Sequence, residues 1–207
     1  GNLMTVPRPG HSDYPAYIRY GGNNDIRGGG HFSGRLTAPV VFAGAVAKQI
    51  LEQQGIAVGA HIKQIGNVCD SSFDKNNIRA DFLHSISEKP FAVINSDIES
   101  EMRAFVEQAR LSGDSAGGSI ECAAAGVPAG LGGNMFDTVE SRLSSALFGV
   151  PAVKGVQFGE GFGFSEMLGS EANDGYEIKN GKVSLISNHN GGVLGGITNG
   201  APLVFSV

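Results

Sequence analysis

At 207 residues, with 41% apolar and 17% charged side chains and a formal net charge of −5, the chain has the composition of a globular domain. That excludes a disordered or collagen-like chain. Two cysteines exclude a disulfide framework and a cysteine zinc site, and no apolar run of about 18 residues reads as a membrane span. The expectation is one soluble, cytoplasmic domain over residues 1–207 with neither nucleic acid nor membrane as partner.

Charge is unevenly placed. The first fifty residues hold five Lys and Arg against two Asp, although the whole chain is acidic. Arg8, Arg19, Arg27 and Arg35 lie beside His11, His31 and the run Gly28-Gly29-Gly30. A cationic, glycine-rich island of this kind suits a small anionic ligand.

In chain order, Thr37 caps a predicted helix with Pro39 in its first turn. Val40, Ala43, Val46, Ala47, Ile50 and Leu51 form a broad apolar face, and Gly55 is the stop. The helix is apolar almost all round until Lys48, which predicts burial between layers. Residues 56–65 alternate loosely and read as a strand, whereas 67–95 are polar and assign to no element. Ser96 with Glu99 forms a capping box for a helix through Ile98, Met102, Phe105, Val106 and Ala109. A strand of small residues follows over 117–127. Asp137 with Glu140 repeats the capping signal ahead of a Val139, Leu143, Ala146, Leu147 stripe. Residues 152–159, 182–187 and 202–207 read as strands. The order predicts an α+β fold, helices packed on antiparallel sheet. The opening "GNLMTVP" belongs to no periodic element and the chain stops on the bare strand "PLVFSV", so both ends read as cuts through a larger fold.

Several motifs admit more than one reading. "GDSAGG", residues 113–118, places Ser115 among glycines able to shape an oxyanion hole, which would make a serine hydrolase. The same string lies between a helix and a strand, where Gly113 reads as a helix stop and Gly117-Gly118 as a strand entry. "GLGGNMFD" and "GGVLGGITNG" could cradle a phosphate with backbone N–H groups, yet neither has Walker or dinucleotide spacing. Of the five histidines none shows HExxH spacing, so no metal site is expected. His61 and His84 read as structural. His11 and His31, flanked by arginines and glycines, are the candidates for moving a proton near neutral pH.

"RPGHSDY", "RGGGHFSGRLTA", "AGAVAK", "GDSAGG", "GVPAGLG", "FD", "AVKGVQFGEGF", "GSEAND" and "NHNGGVLGGITNG" occur in this order, and together they resemble the chorismate synthase family. The resemblance spans Arg8 to about Gly200. It implies a sandwich of helices between antiparallel sheets, here truncated, and a homotetramer. It implies 1,4-anti elimination of phosphate from 5-enolpyruvylshikimate 3-phosphate to give chorismate, with reduced FMN required although no net redox change occurs. NADPH would serve where a flavin reductase activity is present. Position by position, it implies His11 as the catalytic histidine beside the flavin and Arg8 and Arg35 as holders of substrate anions. His31, Phe32 and Ser33 correspond to the family's "RSS" contact with FMN; Pro151 with Ala152, and Gly195, correspond to two further FMN contacts.

The chain departs from the common pattern at His31, Phe32 and Leu36, where many relatives have Arg, Ser and Glu. Phe32 cannot replace a hydroxyl hydrogen bond. The family's "GESHG", "KPTSS" and "RHD"-like segments do not occur in these residues. The resemblance therefore describes the middle of the enzyme and implies that this stretch alone does not turn over. A non-catalytic flavin- or anion-binding module is the alternative.

Overall fold

The structure is a computed structural model and describes residues 6–207. Its centre is a five-stranded antiparallel sheet of order β2-β1-β3-β9-β4. The strands are β1 (Ala57–Ile65), β2 (Val68–Cys69), β3 (Gly118–Ala125), β4 (Gln157–Phe158) and β9 (Leu203–Ser206). The helices are α1 (Asp13–Tyr20), α2 (Ala38–Gln53), α3 (Ala80–Ser87), α4 (Glu99–Leu111), α5 (Val139–Leu147) and the short α6 (Gly169–Ala172). Two hairpins complete it: β5 (Tyr176–Lys179) with β6 (Lys182–Leu185), and β7 (Val193–Leu194) with β8 (Ile197–Thr198). Helix with antiparallel sheet is the α+β class expected. Among the described residues there is one large sheet.

Register explains how the sheet builds two cores. Ala57 pairs with Ala125, Val58 with Ala124, Gly59 with Ala123, and then Ala123 with Val204 and Ala124 with Leu203. Because neighbouring residues point to opposite faces, Ala57, Ala123, Ala125 and Val204 share one face. They pack with Leu83 and Ile86 of α3 and with Phe73 and Ile78. The other face gathers Ala124, Leu203, Val127 and Val193, with Val58 and Val139 against them. Small residues in the strands let the helices approach closely. A Cβ on Gly59 would come within 3.0 Å of the Leu83 Cβ. Burying Leu83 and Ile86 contributes about 1.5–3 kcal/mol each.

Several expectations are corrected. Helix α2 occupies its predicted span, but Val40, Val41 and Phe42 remain 62%, 69% and 73% exposed. Its neighbours in this chain are β1 and the preceding 3-10 turn, which leave its apolar surface uncovered. Thr37 stands at the N-cap position without capping, because its hydroxyl donates back to the Gly34 carbonyl at 2.6 Å. Asn95, not Ser96, accepts the capping bond, from Asp97 N, and a 3-10 turn precedes α4. Thr138, not Asp137, caps α5 by accepting from Ser141 N. Only Gln157–Phe158 of residues 152–159 is strand, since the chain turns through Ala152 at φ 71°. The unassigned stretch 67–95 contains β2 and α3, and residues 13–20 form a helix that the pattern did not announce.

Candidate functional site

Residues 8–37 form a self-bonded loop cluster, and among the described residues none of its hydrogen bonds reaches the sheet. Gly10 takes φ 69° and His11 N donates to the Arg8 carbonyl at 3.3 Å, closing a turn ahead of α1. Asp13 sits in the first turn of α1, where the helix dipole favours a carboxylate, and Gly21 ends the helix at φ 56°. Asp13 is buried. Its Oδ2 accepts from Arg8 Nε at 2.8 Å and Arg8 N at 2.9 Å, and its Oδ1 accepts from Arg8 Nη2 at 2.8 Å. His11 Nδ1 lies 2.8 Å from the same Oδ1. The Arg8 side chain, then its N–H, holds the Asp13 carboxyl well below the usual carboxylate range.

The Gly28-Gly29-Gly30 run has φ values of 55°, 85° and 52°, all in the region that L side chains avoid. A Cβ on Gly30 would overlap the Asp25 carbonyl, so only glycine closes this turn. Arg35 clamps the run from outside. Its Nη1 donates to the Gly28 carbonyl at 2.8 Å and its Nη2 to the Gly30 carbonyl at 3.4 Å. Those partners are neutral, so its charge is not cancelled by contact. Ser33 Oγ accepts from Arg35 N at 3.4 Å. A Cβ on Gly29 would stand 3.5 Å from His11 Nε2 and 3.4 Å from Ser33 Cβ. The bare glycine therefore leaves the Nε2 edge of His11 and the Ser33 side chain facing the same space. Arg27 pairs with Asp25 at 2.9 Å and brings that carboxyl down to about 2.

The structure thus brings Arg8, His11, Ser33 and Arg35 together, with His31 and Phe32 exposed in the same turn. The other expected contacts lie elsewhere. Pro151 and Ala152 line a cleft of about 690 Å³ with Lys63, Lys75, Lys154 and Glu121, to which no residue of 8–37 contributes. Gly195 forms, with Gly196, the two-residue turn between β7 and β8, at φ 60° and 85°. That turn docks at the start of α5, where Val139 N donates to the Gly196 carbonyl, while Pro151 follows the end of α5. The nine-residue helix is about 13 Å long. Ser115 is exposed. Gly113 takes φ 70° as the stop of α4, and no histidine bonds to Ser115 among the described residues.

The family model for chorismate synthase matches residues 1–207. The chain belongs to the chorismate synthase family. It is 51% identical over 205 residues to the chorismate synthase of Thermococcus gammatolerans, covering 99% of this chain and 56% of that one. It is 44% identical over 212 residues to that of Lancefieldella parvula, covering 97% and 55%. A crystal structure of chorismate synthase superposes with a TM-score of 0.84 at 30% identity, over 93% of this chain and 61% of that one. The chain spans about half the length of the curated chorismate synthases it matches. No helix among the described residues is long and apolar enough to cross a membrane.

Two charged groupings escaped the sequence reading. Asp13 could have been found as an acid two residues after His11 and at a helix start. The second is His61, wholly buried, with Nε2 2.9 Å from Glu121 Oε2 and Nδ1 3.1 Å from Asp70 Oδ2. His61 pairs with Glu121 across β1 and β3, and Asp70 approaches from the loop after β2. Each ring nitrogen thus has a carboxylate oxygen within hydrogen-bond distance. Burial would raise the Glu121 carboxyl, but hydrogen bonds from His61 and Phe73 N, with the charges of His61 and Lys63, hold it below its ordinary value.

Proposed function

We propose that this chain carries a central part of a chorismate synthase active centre, acting on 5-enolpyruvylshikimate 3-phosphate by 1,4-anti elimination of phosphate. The observation that carries this reading is the convergence of His11, Ser33 and Arg35 on the Gly28–Gly30 turn in a chain 51% identical to a named relative. The substrate bears a phosphate and two carboxylates. An arginine held only by neutral carbonyls is a suitable receptor for such an anion. Arg8 keeps a narrower part, because Asp13 engages Nε and Nη2 and leaves Nη1 to reach an anion.

The donor set also fits FMN. Glycines without Cβ, the Ser33 hydroxyl, the His31 ring and a cationic surround can meet a phosphate and a polar ring edge. His31, Phe32 and Ser33 would hold it at this turn; Pro151, Ala152 and Gly195, which lie elsewhere in the chain, stay as the further contacts that the family implies, and nothing stands within 4 Å of a Cβ at Gly195. When bound, reduced FMN supplies an electron-rich ring beside a substrate that loses phosphate, without net redox change. His11 Nε2 would exchange a proton at the rim of that site. NADPH would enter only as a source of reduced flavin. We place the activity in a cytoplasmic homotetramer, for which the uncovered apolar surface of α2 provides contact area.

The test is anaerobic titration of the chain with dithionite-reduced FMN and then substrate, followed by flavin absorbance and chorismate formation. Flavin binding that substrate perturbs supports the reading. Flavin binding that substrate never perturbs, with no chorismate, favours a non-catalytic flavin-binding module. Absence of both overturns the site.

A further inference from the structure

We propose that the cleft beside Pro151 and Ala152 is a strand-wide slot in the large sheet, and that its occupant is the continuation of β9 in the full-length protein. The slot would be filled by backbone, whatever reaction the protein performs.

Register defines the slot. β9 runs between β3 and β4, with Cys122 opposite Phe205 and Gln157 opposite Ser206. The ladder with β3 reaches one pair further: Ile120 N donates to the Val207 carbonyl at 2.9 Å, and Val207 N to the Ile120 carbonyl at 3.0 Å. On the other side Gly159 N donates to the Val204 carbonyl at 2.9 Å. Hydrogen-bonding groups alternate along an antiparallel strand, so odd-numbered residues of β9 face β3 and even-numbered ones face β4. Continuing both registers sets the first position after Val207 opposite Gly155 and the second opposite Gly118. Ser206 and Val207 line the cleft together with Gly118 and Gly155, so a straight extension of β9 enters it.

Both walls suit a strand. Gly117 and Ser119 are turned to β1, since Gly66 N donates to the Gly117 carbonyl at 2.9 Å and Ser119 pairs with Gln64. Gly118, between them, therefore aims its N–H and C=O into the slot. Among the described residues nothing bonds to the backbone of Gly118 or Gly155 on that side. Unpaired groups along a sheet edge are a template for another strand, and a glycine there lets a second backbone come close. A Cβ at Gly155 would meet nothing within 4 Å. A small anion suits the cleft less well. Lys63 Nζ already donates to the Asp70 carbonyl and the Ser72 hydroxyl, and Lys75 pairs with Glu160 at 2.7 Å. The matched stretch is 56% of the Thermococcus gammatolerans relative and 55% of the Lancefieldella parvula one, so such proteins have chain to spare for the strand. Filling the slot would pair β9 on both sides throughout and complete the wall beside Pro151 and Ala152.

The experiment is disulfide trapping in the full-length protein with Cys69→Ser and Cys122→Ala, carrying Ser119→Cys and a second cysteine substituted one or two positions after Val207. Ser119 and the first position would form a directly opposed pair with side chains on one face, close enough for a disulfide. The second position points to the other face. Mild oxidation should close a bond within one chain for the first position and none for the second. A folded variant with no bond at the first position, a bond at the second, or a bond between two chains overturns the proposal. Amide hydrogen exchange on the unsubstituted proteins decides should the cysteine variants not fold. Gly118 and Gly155 should exchange as unprotected amides in the 207-residue chain and as slowly as Ile120 in the full-length protein. Rates equal in the two proteins overturn the proposal. Protection of both glycines in the 207-residue chain by FMN or inorganic phosphate alone assigns the slot to a small anion and overturns it as well.

Discussion

Glu121 offers a perturbation whose size follows from its contacts. A single oxygen, Oε2, accepts from both His61 Nε2 at 2.9 Å and Phe73 N at 2.8 Å. In Glu121→Gln the amide oxygen can occupy that place and keep both bonds, losing only their charge-assisted part. A cost of about 1–2 kcal/mol is expected. Glu121→Leu keeps the volume but leaves two buried donors without acceptors and His61 with Asp70 alone, for about 3–5 kcal/mol. At roughly 2–4 °C per kcal/mol for a chain of this size, the melting temperature should fall by about 2–8 °C and 6–20 °C respectively. Acid adds a signed test. Because the folded Glu121 carboxyl lies below its ordinary value near 4.5, its stabilisation is present above that pH. It is lost as pH falls through the lower folded value, and Glu121→Gln should lack this contribution. Urea unfolding followed by circular dichroism between pH 3 and 7 reads both effects. Equal losses in the two variants, or an acid limb unchanged in Glu121→Gln, would refute the view that one oxygen serves two buried donors.

Arg35→Ala should weaken binding of the phosphorylated substrate by about 10–150-fold, the range for a charged hydrogen bond, measured by titration against flavin absorbance. Gly30→Ala should abolish flavin binding while shifting the urea midpoint little, because its Cβ overlaps the Asp25 carbonyl in a loop that makes no hydrogen bond to the sheet. Ser115→Ala should leave stability within about 0.5 kcal/mol and, in a full-length version of the protein, turnover within a few fold, since an exposed turn serine does no chemistry; a collapse of turnover in a folded full-length variant would revive the nucleophile.

The long periodic elements were written locally. Apolar spacing and Gly55 placed α2, small alternating residues placed β3, and the ordered motifs gave the family because each glycine string answers a backbone demand met within a few residues. Caps slipped by one residue at Asn95 and Thr138, where neighbouring Ser, Asn, Thr and Asp compete for the same N–H groups and only backbone geometry chooses. Helix α3 was not legible because it is eight residues long and shows two buried positions, too few to fix a period. The convergence of His11, Ser33 and Arg35 was half legible: sequence put them in one cationic segment, but that Arg8 faces Asp13 rather than open space depends on α1 turning its first carboxylate inward. The His61–Glu121 pair lies 60 residues apart in sequence. Strand register alone sets the two side by side, and no local pattern encodes register between distant strands; only the folded sheet, by burying one face of each, decides which charges must meet.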